Sequence, residues 1–156
     1  TAIGHAFDEI RIEMLRRQRE LPALRQEIVA MRDKMLAAHP NTSGRFDLKH
    51  DRGGLIDVEF IVQYLVLGYA HRHAELTGNI GNLALLKLCA RLGLIQHDEA
   101  LAAHDAYRNL RRLQHALRLR GDKFARTEAG TLAQERAAVR KLWSSVLAAE
   151  HPADRR

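Results

Sequence analysis

Cysteine, proline and aromatic residues are scarce in this chain, and each scarcity removes a class of protein. A single cysteine, Cys89, allows no internal disulfide, which excludes a disulfide-stapled secreted scaffold. It sits on the apolar side of a helical pattern and reads as a small buried hydrophobe. Aromatic residues make up 5% of the chain, and none is interleaved with basic residues as a base-stacking surface requires. The three prolines fall at positions 22, 40 and 152, where helix starts or loops accept them. No apolar run approaches the ~20 residues that cross a bilayer. The N-terminal TAIGHAFDEI lacks the charged-then-apolar order of a signal peptide. No Gly-x-Ser-x-Gly, Walker or dinucleotide motif is present, and no Ser or Cys has a nearby His for nucleophilic work. These absences point to a cytoplasmic protein with no membrane partner.

What is present is Ala, Leu and Arg in a chain of 156 residues, the length of one domain with one sizeable core. The profile argues an all-α fold. Net charge is +6, with the excess in the last third, from Arg108 through Arg111, Arg112, Arg118, Arg120, Lys123 and Arg126 onward. Such a balance raises nucleic acid as a partner. But Arg outnumbers Lys by 20 to 5, as a GC-rich genome produces, and the aromatic partners are missing. No nucleic-acid partner is expected.

The 3.6-residue period predicts a bundle of about six helices. The first, about Ala2 to Arg19, has the stripe Ile3, Phe7, Ile10, Met14. The second starts at Pro22 with Leu24, Ile28, Met31 and Met35, and a tight turn makes residues 1–38 an antiparallel hairpin. Residues 39–54 form a polar linker and Gly-Gly loop, extended over Arg45 to Lys49. The bundle proper is expected over 55–150. Its third helix, Leu55 to about His71, is apolar nearly all round and central. The fourth lies near Gly81 to Leu92, capped by Asn79 or Asn82 and stopped by Gly93. The fifth runs from His97 to Arg120, where Gly121 ends it. The sixth opens at Thr131 with Gln134 completing a capping box. Residues 151–156 should fray.

The chemistry concentrates in Phe46 to Gln63, FDLKHDRGGLIDVEFIVQ. Gly53 and Gly54 permit a close backbone approach or a positive φ. The helix beginning near Leu55 presents free N–H groups, Lys49 and Arg52 add positive charge, and Asp57 and Glu59 lie near the favourable end of the dipole. Such an arrangement can meet a phosphate, a metal ion or the edge of another domain. Asp57 and Glu59 are about 200° apart around a helix, so they are no acid–base pair. Glu59 and Gln63 share a face.

Further residues extend the pattern. Met31-Arg32 with Lys34-Met35, Asn82-Leu83 with Leu85-Leu86, Ala106-Tyr107, Leu110-Arg111 and His115, and Glu135-Arg136 to Trp143 accompany the Phe46-Asp47-Leu48-Lys49 and Gly53-to-Leu67 runs. Together they resemble the C-terminal helical domain of the glutamine synthetase adenylyltransferases, over nearly the whole chain. His50-Asp51-Arg52 departs from the expected less charged linker. The resemblance implies a parent that transfers AMP from ATP to glutamine synthetase, reverses this in its other half, uses magnesium, and answers to the PII signal protein. It also implies a Gly-Ser followed by Asp-x-Asp in the catalytic core. Neither occurs here, and the chain begins at Thr1. The expectation is a domain without its own catalytic residues, inactive alone, that packs on the core and helps close the ATP cleft. A PII uridylyltransferase helical domain and a standalone interaction module are the alternatives.

Two groups of site residues follow. Lys49, Arg52, Gly53, Gly54 and Asp57 are expected at the nucleotide cleft. Glu59, Gln63, Arg111 and His115 are expected to form a structural polar network, with Glu59 in a buried ion pair to Arg111 or His115. The stripe His104, Arg108, Arg111, His115 otherwise reads as a solvated basic face. His71-x-His73 lacks companions for zinc, and no metal site is expected.

Overall fold

The computed structural model describes residues 1–148. Six α-helices form the fold: α1 (Ala2–Leu15), α2 (Leu21–Ala38), α3 (Leu55–Tyr69), α4 (Asn82–Arg91), α5 (His97–Leu119) and α6 (Ala133–Trp143). A 3-10 turn (Ala74–Thr77) links α3 to α4, and a π-turn (Ser144–Ala148) continues α6. The expected all-α bundle is what the chain forms. Two short strands, β1 (Phe46–Asp47) and β2 (Arg126–Thr127), pair antiparallel with Phe46 opposite Thr127. Of the stretch expected to be extended, Arg45 to Lys49, only Phe46–Asp47 is strand, and Leu48 to His50 form a turn; the partner strand had no signal in the sequence.

Helix α3 is the axis of the core. Twelve of its 15 residues are buried, and α2, α4, α5 and α6 all pack against it. That follows from its composition: Leu55, Ile56, Val58, Phe60, Ile61, Tyr64 and Leu65 cover most of its circumference, leaving the face of Glu59 and Gln63 to meet water. Helix α5 packs against α3 with Ala103, Ala106, Leu110 and Leu117 buried and Leu113, on the same stripe, partly buried. Cys89 is fully buried among apolar neighbours, which pushes its thiol up to about 12.

Helix α1 is sparsely covered. It contains no buried residue, and Phe7 is 71% exposed, so its apolar stripe is not buried against α2. The helix also stops early, at Leu15. Arg19 bends back, its guanidinium donating to the carbonyls of Met14 (2.8 Å) and Arg17 (3.0 Å), acceptors that a longer helix would have used, and to that of Leu67 in α3 (3.2 Å). Two caps also differ. Gly81 rather than an asparagine precedes α4, while Asn82 donates to the Tyr107 hydroxyl at 3.2 Å. Leu132 precedes α6 with no side-chain cap, so the Thr131–Gln134 box is absent. The stops are as expected: Gly93 and Gly121 take φ of 75° and 90° after α4 and α5. The expected fraying of 151–156 lies outside the described residues. Among the described residues no helix is long and apolar enough to cross a membrane.

Candidate functional site

The loop before α3 closes on itself. Gly53 N–H donates to Asp57 Oδ2 at 2.7 Å. The N–H groups of Gly54, Leu55 and Ile56 donate to the carbonyls of Asp51 (3.0 Å), Leu48 (2.8 Å) and Lys49 (3.2 Å). Four consecutive donors at the helix entrance are thus taken internally, and in this structure they are not open to an anion. The glycines serve the same closure. Gly53 has φ of 85° and packs on α6, where a Cβ would stand 3.1 Å from the Arg136 carbonyl oxygen. A Cβ on Gly54 would stand 2.5 Å from the Leu48 carbonyl oxygen and 2.9 Å from that of Asp51.

Asp57 holds the loop to two helices. Its Oδ1 accepts from Arg32 Nε at 2.6 Å, and Arg32 Nη2 donates to the His50 carbonyl at 2.7 Å. Arg32 is 0% and Asp57 1% exposed. The pair therefore locks α2, the loop and α3 together inside the core. Arg32 was visible in the sequence only as part of a motif. Its signal was its spacing: Leu24, Ile28 and Arg32 recur every fourth residue, and these three are the buried face of α2. Met31, expected there, is exposed.

Asp47 is a second hub that sequence reasoning passed over. Its Oδ1 accepts from the N–H groups of Lys49 (3.0 Å) and His50 (2.9 Å), and its Oδ2 from Arg126 Nε at 3.3 Å. It thereby forms an Asx-type turn and ties the two strands together. Asp51 Oδ2 supports it, accepting from Asp47 N–H at 2.9 Å and from Asn41 at 2.8 Å.

The residues expected at one cleft are divided between two depressions that share none of their lining residues. Arg52 and Asp57 border a cavity of 330 Å³ together with Asp33, Arg140 and Trp143. There Arg52 donates to Asp33 at 2.6 Å and lies 5.5 Å from the Trp143 ring centroid. Lys49 borders the other cavity, of 310 Å³, with His39, His50, Gln114, Arg118 and Lys123. Gly53 and Gly54 are buried and border neither cavity.

The expected polar network is also rearranged. Among the described residues Glu59 makes no ion pair, and the buried pair of α3 belongs to Asp57 instead. Glu59 is half-buried, and desolvation raises its carboxyl above the usual range against the opposing fields of Arg111 and Lys49 and the neighbouring Tyr107 hydroxyl. Gln63, Arg111 and His115 are exposed. Arg111 donates to Gln114 at 3.2 Å. The reason is rotational: Asp57 faces α2, whereas Glu59 faces α5 near its partly hydrated edge, where a cation needs no direct contact.

The family model described as GlnD PII-uridylyltransferase matches residues 15–142. A protein of Nitrosomonas europaea is 54% identical over 92% of this chain and 17% of its own length. One of Bordetella bronchiseptica is 54% identical over 94% of this chain and 16% of its own length. One of Ralstonia nicotianae is 51% identical over 92% of this chain and 15% of its own length. Each is named bifunctional glutamine synthetase adenylyltransferase/adenylyl-removing enzyme. The chain spans about one sixth of the length of these relatives. With most of its length under the family model and half its residues shared with these enzymes, the chain belongs to the GlnD PII-uridylyltransferase family, as a helical domain of the kind found in bifunctional glutamine synthetase adenylyltransferases.

Proposed function

We propose that this domain serves a parent enzyme that transfers AMP from ATP to glutamine synthetase and removes it again. The observation that carries the reading is identity of 54% over 94% of the chain to a protein of that name. Magnesium and ATP belong to the parent's catalytic core, which the same polypeptide supplies, and the PII signal protein is the regulatory partner. The setting is the cytoplasm. The domain packs on that core and helps close its ATP cleft, with the loop that carries Lys49 and Arg52 at the contact. The bare stripe of α1, Ile3, Phe7, Ile10 and Met14, supports packing of this kind, because a face of four large apolar side chains favours a covering surface.

The test is AMP incorporation into glutamine synthetase with ATP and magnesium. The full-length protein incorporates AMP, and this chain alone does not, since it has no Asp-x-Asp to hold the metal. Incorporation by the chain alone, or none by the full-length protein, would overturn the reading. A uridylyltransferase parent is the second reading, favoured by the description of the family model. Transfer of UMP to the PII protein, without AMP transfer, would select it.

A further inference from the structure

The cavity on the Lys49 side of the loop carries a charge imbalance that its own residues do not resolve. Lys49 from the loop, Arg118 from the end of α5 and Lys123 beyond Gly121 all line it. None of the three makes an ion pair among the described residues. Two carboxylates share the lining, but both are engaged. Asp47 is held by Arg126 and two backbone N–H groups, and Asp122 is paired with Arg120. Lys123 lies 5.4 Å from the Phe124 ring centroid, a contact that leaves its charge intact. The field of Lys49 also reaches Glu59, though without a direct pair.

The rest of the wall suits a ligand that brings negative charge. Gln114, 4% exposed, accepts from Arg111 through Oε1. No hydrogen bond among the described residues uses its Nε2 donors. The rings of His39 and His50 stack with centroids 4.1 Å apart, and both residues border the cavity. Burial first, and then the fields of His39 and Lys49, lower the pKa of His50, against the pull of Asp47. The volume of 310 Å³ equals about ten waters at their liquid density and lies at the small end for ligand sites.

We propose that this cavity binds a small phosphate-bearing anion, its phosphoryl oxygens held by Lys49, Arg118, Lys123 and the Gln114 amide. Three cations around one small volume match a dianionic group with three acceptor oxygens better than a single carboxylate. The phosphoryl group could belong to free phosphate or to a nucleotide, whose base would lie against the histidine stack. The site stands on the geometry of this chain. Binding here and AMP transfer by the parent are measured separately and can fail separately.

The experiment is an NMR titration of the 156-residue chain with inorganic phosphate, AMP and ATP in turn. It is run at about pH 7.5, where a phosphate monoester is nearly dianionic, at constant ionic strength and with acetate as control. The His39 and His50 ring signals shift and saturate with at least one phosphate compound, and the pKa of His50 rises on saturation. Saturation by inorganic phosphate assigns the site to the phosphoryl group alone. Saturation only by AMP or ATP assigns it to a nucleotide. In the Lys49→Gln/Lys123→Gln variant, whose substituted side chains are exposed, affinity falls by about tenfold or more. Three results would overturn the proposal: no saturable shift with any of the three compounds, an equal shift with acetate, or unchanged affinity in a variant whose remaining spectrum matches the wild type.

Discussion

Helices α1 and α3 are both apolar enough to seek a core, yet one is bare and the other almost wholly enclosed. The stripe of α1 is Ile3, Phe7, Ile10 and Met14, none less than half exposed. Helix α3 buries Leu55, Val58, Ile61, Tyr64 and Leu65 to 1% or below. Periodicity tells what a helix is able to bury. Whether it does depends on surfaces elsewhere, and among the described residues the stripe of α1 is left uncovered. The loop side of α3 adds a second lesson. Asp57 and Glu59 stand two residues apart, and one is locked to Arg32 while the other is half-buried with no ion pair. Rotation about the helix axis places them against different neighbours, α2 for one and α5 for the other.

The sharpest way to break the comparison is Asp57→Ala. It leaves the Arg32 guanidinium buried without its partner, which costs about 3–5 kcal/mol, read as a fall in the urea midpoint. An effect below about 1 kcal/mol, the scale of an exposed pair, would show that the pair does not hold the core. Next is Gly54→Val. Its Cβ would meet the Leu48 carbonyl oxygen at 2.5 Å, and the backbone there is fixed by the bond to Leu55 N–H. A loss of about 1–3 kcal/mol follows from such overpacking. The glycine's role thus lies in the closure of the loop, so this variant weakens the bundle rather than only obstructing a cleft. Unchanged thermal stability would contradict that.

Glu59→Gln probes the other carboxylate and has a smaller effect of opposite sign. Burial raises the folded-state pKa of Glu59. The neutral form is therefore favoured on folding, and its contribution is fully present below the unfolded pKa and lost as pH rises through the folded one. The amide does not ionise, so the variant gains on the wild type as pH climbs from the acid range to neutrality. Stability curves at several pH values check this. A gain that is the same at every pH would remove the desolvation argument. The smallest effect belongs to α1. Phe7→Ser in this chain changes stability by no more than about 0.5 kcal/mol, as for other exposed positions. A loss of several kcal/mol would mean that α1 packs on the bundle after all. In the full-length protein the same variant should weaken attachment of the domain to the rest of the chain, seen as faster proteolysis between them.

The sequence by itself determined the helices, because their signals are local. The apolar period of α5, the encircling apolar surface of α3 and the glycines after α4 and α5 act within a few residues of where they stand. The Phe46-to-Gln63 motif was legible for the same reason, as a dense run of charge and glycine at one helix start. Tertiary structure alone decided which partners these residues take. Arg32 reaches Asp57 across 25 positions and Arg126 reaches Asp47 across 79, distances over which no periodicity carries information. The same holds for Lys49 and Arg52. Three residues apart in the chain, they border different cavities, because the loop between them folds back on itself through its own N–H groups.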